Sequence, residues 1–300
     1  MRTTGIVVGT DGTDTSDLAV DWAAREAHRR GVALRIVHAF DWDWRESRFE
    51  VGNEYVDAAR QQAEGVIAAA VERVQGIAPD LAVQTFTLIG QAVPRLLESA
   101  RGAQLMVLGS RGRGGFAGML LGSTSQRVAT HAPCPVVVVG PQPAADDVPT
   151  ATGDHRSTTA GDNRPIAAGV DDSPSADLVL ETVFTMADAQ GAPIRIVHAC
   201  PPVIPPWLTP DSAAVDADRA DRLAEQLEPW RSKFPDVPVD VVLSPASPPA
   251  ALVEASRTAR LVIVGSHGHG LVTGTLVGST SLQLLHHAAC PVYVTRPLPE

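Results

Sequence analysis

The stretch GSRGRGGFAGMLLGSTS, residues Gly109 to Ser125, recurs as GSHGHGLVTGTLVGSTS, residues Gly265 to Ser281, at an offset of 156 residues. A block repeated at such a distance constrains the fold more than composition can, because both copies must sit in the same supersecondary setting. The repeat reaches further. GIVVGTDGT from Gly5 matches IAAGVDDS from Ile166, which aligns Asp11 with Asp171, and LRIVHAF matches IRIVHAC at the same offset of 160. The second copy is therefore four residues shorter, somewhere between Ala39 and Gly109 of the first.

A chain of 300 residues fits two such units, since single cores stop growing near about 250–300 residues. We read domains at 1–140 and 164–300. The stretch 141–163, PQPAADDVPTATGDHRSTTAGDN, is poor in apolar residues, aperiodic and rich in turn formers, as a flexible linker is. With 44% apolar and 19% charged residues, each unit can bury an ordinary core. The net charge of -10 excludes a sequence-independent grip on nucleic acid. No apolar run approaches the roughly 20 residues that span a bilayer, and the start MRTTGIVVGT lacks a secretory pattern, so a cytoplasmic protein without membrane contact is expected. Cys134, Cys200 and Cys290 lack metal spacing and read as buried thiols.

Within the first copy, GIVVG, LRIVHA, VQTFTL, LMVLG and PVVVVG are short and mostly apolar, as strands covered on both faces are. Between them, Ser16 to Arg30, Glu54 to Val74, Ala92 to Arg101 and Ser123 to Thr130 carry helical periodicity. In the first helix, Leu18, Ala19, Trp22, Ala23 and Ala27 share an apolar face opposite Asp17, Asp21, Arg25 and Arg29. Strands alternating with helices imply right-handed crossovers and a mostly parallel sheet, so two tandem open α/β units are expected.

In open α/β sheets ligands sit beyond the carboxyl ends of the strands. Asp11 follows the first strand and the glycine loop follows LMVLG. If those strands are neighbours, Asp11 and Gly109 face one crevice. Glycines let backbone N–H groups approach an anion, and Gly122-Ser123-Thr124 opens a helix whose first amides lack partners. The competing reading is a plain strand-to-helix turn with Ser123 as N-cap; recurrence of both halves of the motif favours a ligand. A P-loop is excluded, because the chain's single lysine is Lys233, far from either loop. The available cations are Arg111 and Arg113 in the first loop and His267 and His269 in the second. The HGH triplet lacks a third metal ligand nearby. Asp11 and Asp171 suit either a ribose hydroxyl or a local turn. His38 and His198 read as satisfied core histidines.

Gly109 and Gly112, nine residues, then Gly122 and Ser123 resemble the G-x-x-G-x9-G-[ST] signature of ATP-binding universal stress proteins, and VVGTDGT resembles that family's first-strand Asp motif. Both copies are covered, as in tandem-domain members. The resemblance implies five-stranded sheets of order 3-2-1-4-5, flanked by helices and packed as a pseudo-two-fold pair, in which the apolar edge PVVVVG is covered by PVYVTR. It also implies ATP with Mg2+, held without metal-ligating side chains. Asp11 would take the ribose; Gly9, Thr10 and Ala39 the adenine; Leu108, Gly109, Arg111, Gly112, Gly122, Ser123 and Thr124 the phosphates. The second site would use Gly169, Val170, Asp171, Ala199, Val264, Gly265, His267, Gly268, Gly278, Ser279 and Thr280. This second copy departs from the pattern where Gly12 becomes Asp172, Ser16 becomes Ala176 and Gly90 becomes Ala246.

The expected role is a stress-response regulator in which bound nucleotide biases conformation or assembly, with homodimerisation of whole chains and a regulatory protein partner of unknown identity. A slow ATPase or nucleotidyl transferase on the same fold is the alternative, and a scaffold with empty sites a third. No catalytic base emerges from the sequence.

Overall fold

The computed structural model describes residues 4–40, 53–112, 121–141, 162–173, 175–201, 212–266 and 277–297. They divide into two compact units. The first holds the described residues up to Pro141 with Val277 and the residues from Arg296; the second holds the remainder.

The first unit runs β1 (Thr4–Gly9), α1 (Asp14–Arg30), β2 (Leu34–Phe40), α2 (Asn53–Ile77), β3 (Val83–Ile89), α3 (Ala92–Ser99), β4 (Ala103–Gly109), α4 (Ser123–His131), β5 (Val136–Val139). Its strands are parallel in the order β3-β2-β1-β4-β5. The second unit repeats the plan: β6 (Ile166–Gly169), α5 (Ala176–Gln190), β7 (Ile194–Ala199), α6 (Ser212–Lys233), β8 (Val239–Ser244), α7 (Pro248–Ser256), β9 (Leu261–Gly265), α8 (Ser279–His287), β10 (Val292–Thr295). Its order is β8-β7-β6-β9-β10, again parallel. Each unit is thus the mostly parallel α/β sheet expected from the alternating pattern, in the order 3-2-1-4-5 that the resemblance implies.

Burial explains the central strands. Consecutive residues Ile6, Val7 and Val8 of β1, and Leu105, Met106 and Val107 of β4, are all fully buried. Successive side chains point to opposite faces, so both faces of the sheet are covered. The outer strand β3 differs from the expectation of two covered faces. Gln84, Thr85, Phe86 and Thr87 are exposed, because within its unit β3 ends the order and pairs with β2 alone. The register also locates the length difference between the copies. His38 pairs with Thr87 and His198 with Leu243, so the offset changes between β2 and β3, across the segment that contains α2 in one unit and α6 in the other.

Helix α1 begins two residues before the apolar periodicity does. Thr13, extended at φ -89° and ψ 157°, caps it by accepting from the Ser16 N–H, while Ser16 returns the bond as a capping box. Its buried face is Ala19, Val20, Ala23, Ala24 and Ala27, which lets the helix lie against β1 and β4. Leu18, expected on that face, is 38% exposed. The buried face instead takes in Val20 and Ala24. On the outer side, Arg73 of α2 donates to both carboxylate oxygens of Asp21, at 3.0 and 2.7 Å, a fork that fixes α2 against α1. Asp17 lies beside it; burial raises its carboxyl above the ordinary range while Arg73 opposes that shift. Helices α1 and α5 end on Gly31 and Gly191 at φ 62° and 57°, the left-handed conformation that favours glycine.

Two predictions follow from this packing. Gly109 ends β4 where a Cβ would stand 2.6 Å from the Thr15 carbonyl oxygen, a backbone atom. Gly109→Ala is expected to cost about 1–3 kcal/mol in denaturant unfolding. Leu18→Ala should stay within about 0.5 kcal/mol. Burial also pushes the Cys134 and Cys290 thiols up to about 12. At pH 8 a thiol reagent should label Cys200 alone in native protein and all three cysteines in unfolded protein. Because the unfolded thiols lose their protons first, stability should fall as pH rises from about 9 towards 12; a series of unfolding curves across that range checks the sign.

Candidate functional site

Strands β1 and β4 are neighbours, with Gly9 in register with Leu108, and the chain leaves them in opposite directions across the sheet. Their carboxyl ends therefore form the crevice where strand order reverses. Asp11 enters it from β1 and the glycine loop from β4. A Cβ on Gly112 would stand 2.6 Å from Asp11 Oδ2, so the loop backbone passes directly over that carboxylate. Of the two alternatives left open by the sequence for Asp11, the local turn is present. Asp11 Oδ1 accepts from the Thr13 N–H at 3.2 Å and from the Thr13 hydroxyl at 2.7 Å, which is turn chemistry, while Oδ2 faces Gly112.

The turn around Asp11 is held by hydroxyls. Ser16 Oγ accepts from the Thr13 N–H at 3.0 Å and the Asp11 N–H at 3.4 Å, and donates to the Thr13 carbonyl at 2.8 Å. Thr10 Oγ1 lies 3.1 Å from Ser16 Oγ and accepts from the Gly12 N–H at 3.3 Å. Below it, the Thr10 carbonyl is 2.7 Å from His38 Nδ1. A carbonyl only accepts, so Nδ1 carries the proton. His38 is the buried, satisfied histidine that was expected, and it ties β2 to the Asp11 turn.

The loop itself is fastened at both ends. The Ser110 N–H donates to Val139 O and the Gly122 N–H to Ser110 O, each at 2.7 Å. The Thr15 hydroxyl donates to Arg111 O and the Ser125 hydroxyl to Gly109 O, each at 2.6 Å. Gly122 is the N-cap of α4 at φ -75° and ψ 148°, an extended conformation open to any residue, and no side chain caps the helix. A Cβ there would meet nothing closer than 3.4 Å. Among the described residues, neither backbone strain nor packing asks for glycine at 122. The first turn of α4 carries no acidic residue, and its unpaired amides make a positive pole. Ser123, Thr124 and the exposed Arg111 lie around this pole. Leu108 and Leu96 cover Gly9, where a Cβ would stand 2.7 and 2.9 Å from their methyl groups, and Ala39 lies at the end of β2, half-buried.

The second unit repeats the fastening. Asp171 Oδ1 accepts from the Ser173 N–H at 3.1 Å and its hydroxyl at 2.5 Å. The Val170 carbonyl accepts from His198 Nδ1 at 2.9 Å. The Gly278 N–H donates to Ser266 O at 2.6 Å, and the Ser281 hydroxyl to Gly265 O at 2.7 Å. Gly278 is again an extended N-cap, at φ -67° and ψ 159°, ahead of Ser279 and Thr280. Gly169 lies beneath Leu252 and Val264, Ala199 closes β7, and Val264 and Gly265 close β9. His267 and Gly268, like His269 and Arg113, lie outside the described residues. Among the described residues no group of three His, Cys, Asp or Glu side chains is placed to hold a metal ion.

Sequence reasoning missed Thr15, Ser125 and Ser281, whose hydroxyls fasten the loops, and named Ser16 only as a position where the second copy departs from the pattern. For Ser125 and Ser281 the signal was present, since the repeated block ends on that serine in both copies.

Comparison with known proteins agrees with this arrangement. The model of the universal stress protein family matches residues 3–140 and again 162–296. A universal stress protein of Mycobacterium tuberculosis is 36% identical over 298 residues, covering 97% of each chain. A second from the same organism is 34% identical over 315 residues, covering 97% of this chain and 95% of the relative. The crystal structure of a universal stress protein from Archaeoglobus fulgidus superimposes with a TM-score of 0.68 at 19% identity, covering 99% of both chains. No helix among the described residues is long and apolar enough to cross a membrane. A family model matched twice, full-length relatives above 30% identity and two units of one topology lead to one conclusion: this chain belongs to the universal stress protein family and carries two such domains in tandem.

Proposed function

We propose that each unit binds an adenosine nucleotide, ATP with Mg2+, and that the chain acts as a stress-response regulator through nucleotide-dependent conformation or assembly. In the first site Asp11 takes the ribose, Gly9, Thr10 and Ala39 line the adenine, and Leu108, Gly109, Arg111, Gly112, Gly122, Ser123 and Thr124 surround the phosphates. Gly169, Val170, Asp171, Ala199, Val264, Gly265, His267, Gly268, Gly278, Ser279 and Thr280 take the same roles in the second, within domains 1–140 and 164–300. The Mg2+ ion would be held by phosphate oxygens. Assembly would join whole chains as homodimers, and a protein partner would read the bound state.

The observation that supports this most is Gly122. Among the described residues, a glycine that neither conformation nor packing requires, at a helix start without a side-chain cap, leaves room for a group from outside the chain. Any side chain would fill that room. An anion suits it, because the α4 amides and the Ser123 and Thr124 hydroxyls are donors. The protein's charge of -10 repels a polyphosphate at long range, so the attraction has to be local.

At 100 times its dissociation constant, Mg-ATP should stabilise the protein by about 2.7 kcal/mol and raise its melting temperature. Gly122→Val with Gly278→Val should abolish that rise; because valine is a poorer N-cap than glycine, the ligand-free protein is expected to lose about 0.5–2 kcal/mol per site, and the readout is the shift each protein shows on adding Mg-ATP. Thermal melts of the two proteins with and without Mg-ATP check this, and absence of any rise in the parent protein contradicts the reading. Mass spectrometry of nucleotide released from denatured protein identifies the ligand.

A further inference from the structure

We infer that the two sites are unequal: the first is the tight one, and the second, through Asp172 and the loss of two hydroxyls, discriminates against a polyphosphate. This rests on the nucleotide reading above and asks what each copy does with the same ligand.

The copies agree in their sheets and loop fastenings and differ at the turn after the first strand. In the first copy Thr10 and Ser16 bracket the turn, and their two hydroxyls take the N–H groups of Asp11, Gly12 and Thr13. Val170 and Ala176 stand at those positions in the second copy and carry no hydroxyl. Helix geometry changes accordingly. Helix α1 starts at Asp14 behind an extended Thr13 and a capping box, whereas α5 starts at Ala176, equivalent to Ser16, behind Ser175 at φ -77° and ψ -12° without a side-chain cap. The carboxylate of Asp11 therefore sits on a turn held by two hydroxyls that Val170 and Ala176 cannot supply around Asp171. Ordering a turn on binding weakens affinity.

Charge acts in the same direction. Gly12, at φ 77°, becomes Asp172, an exposed residue beside Asp171. The second turn carries two carboxylates where the first carries one. Adjacent residues lie about 3.8 Å apart along the chain, well inside the roughly 8 Å screening length of physiological salt. Asp172, being exposed, thus adds a negative charge next to Asp171 whose repulsion of a multiply charged phosphate chain is open to screening by salt.

Calorimetric titration of the full-length chain with Mg-ATP tests this. Gly278→Val isolates the first site and Gly122→Val the second; the second is expected to be weaker by about tenfold or more. Adding Asp172→Gly to the Gly122→Val chain should recover several-fold affinity at about 0.1 M salt and much less at about 1 M, where the screening length falls to roughly 3 Å. Val170→Thr with Ala176→Ser should add a further gain that salt does not reduce. Equal affinities at the two isolated sites, a tighter second site, or an Asp172→Gly chain no better than its parent would overturn the inference while leaving the nucleotide reading standing. Absence of binding at both sites overturns the nucleotide reading and the inequality with it.

Discussion

The backbone of Gly109 lies against that of Thr15, with no side chain between them, and the first unit is arranged around that approach. It brings the end of β4 and the first turn of α1 within contact distance. From there the Thr15 hydroxyl reaches the Arg111 carbonyl and the Ser125 hydroxyl reaches the Gly109 carbonyl. Three segment ends, from α1, β4 and α4, are thereby joined at one point. Each hydrogen bond contributes only about 1 kcal/mol net. Their larger effect is geometric, because they fix where the α4 amides point before anything is bound.

The second unit shows which of these devices the fold itself uses. The serine-to-carbonyl bond, the glycine N–H that closes the loop and the histidine beneath the Asp turn all recur, with distances that differ by only about 0.1–0.2 Å. The hydroxyls of Thr10 and Ser16 do not recur and α5 starts two residues later than α1 in the repeat, yet β6, α5 and β7 follow in the same order. Sheet and loop are therefore indifferent to the fine structure of the turn. That indifference is what allows one copy to diverge at this turn without losing its fold, whereas a change at Gly109 would be felt in the sheet.

Much of this was legible in the residues. Runs such as VVVV and LMVL are too short and too apolar for anything but covered strands, and the repeat itself gave the two-unit plan. What escaped the sequence was set by the neighbours an element meets. On its sequence β3 groups with the covered strands, although Gln84, Thr85 and Thr87 stand among its apolar residues, and its end position in the sheet leaves Phe86 and Ile89 partly exposed; Phe86 is covered on one side by the Arg35 guanidinium, 4.9 Å from the ring centre. Leu18 lies at a helical spacing consistent with burial, but the buried face takes in Val20 and Ala24 instead. The Asp11 turn is written in Thr10, Thr13 and Ser16, three ordinary hydroxyl residues whose convergence exists only once the chain has bent. Asp11 itself could not be assigned to turn or ligand from its spacing, because its two oxygens face different ways.

A site built from amides and hydroxyls behaves differently from one built on an ammonium group. A lysine side chain follows its ligand through four rotatable bonds and attracts it at long range. Amides at a helix start cannot follow, so their attraction holds only for a ligand placed within hydrogen-bond reach, and it fades within about the first turn. A phosphate group in this cradle would consequently be sensitive to small displacements of α4 relative to β4. By linkage, the same ligand would resist those displacements. Because Ser125 of α4 is bonded to the last residue of β4, and Thr15 of α1 to the loop between them, any such displacement is shared by α1, β4 and α4 together. If the cradle holds a nucleotide, its presence is therefore expressed by the whole carboxyl edge of the unit, and a partner that contacts any of these three segments can sense it without touching the ligand.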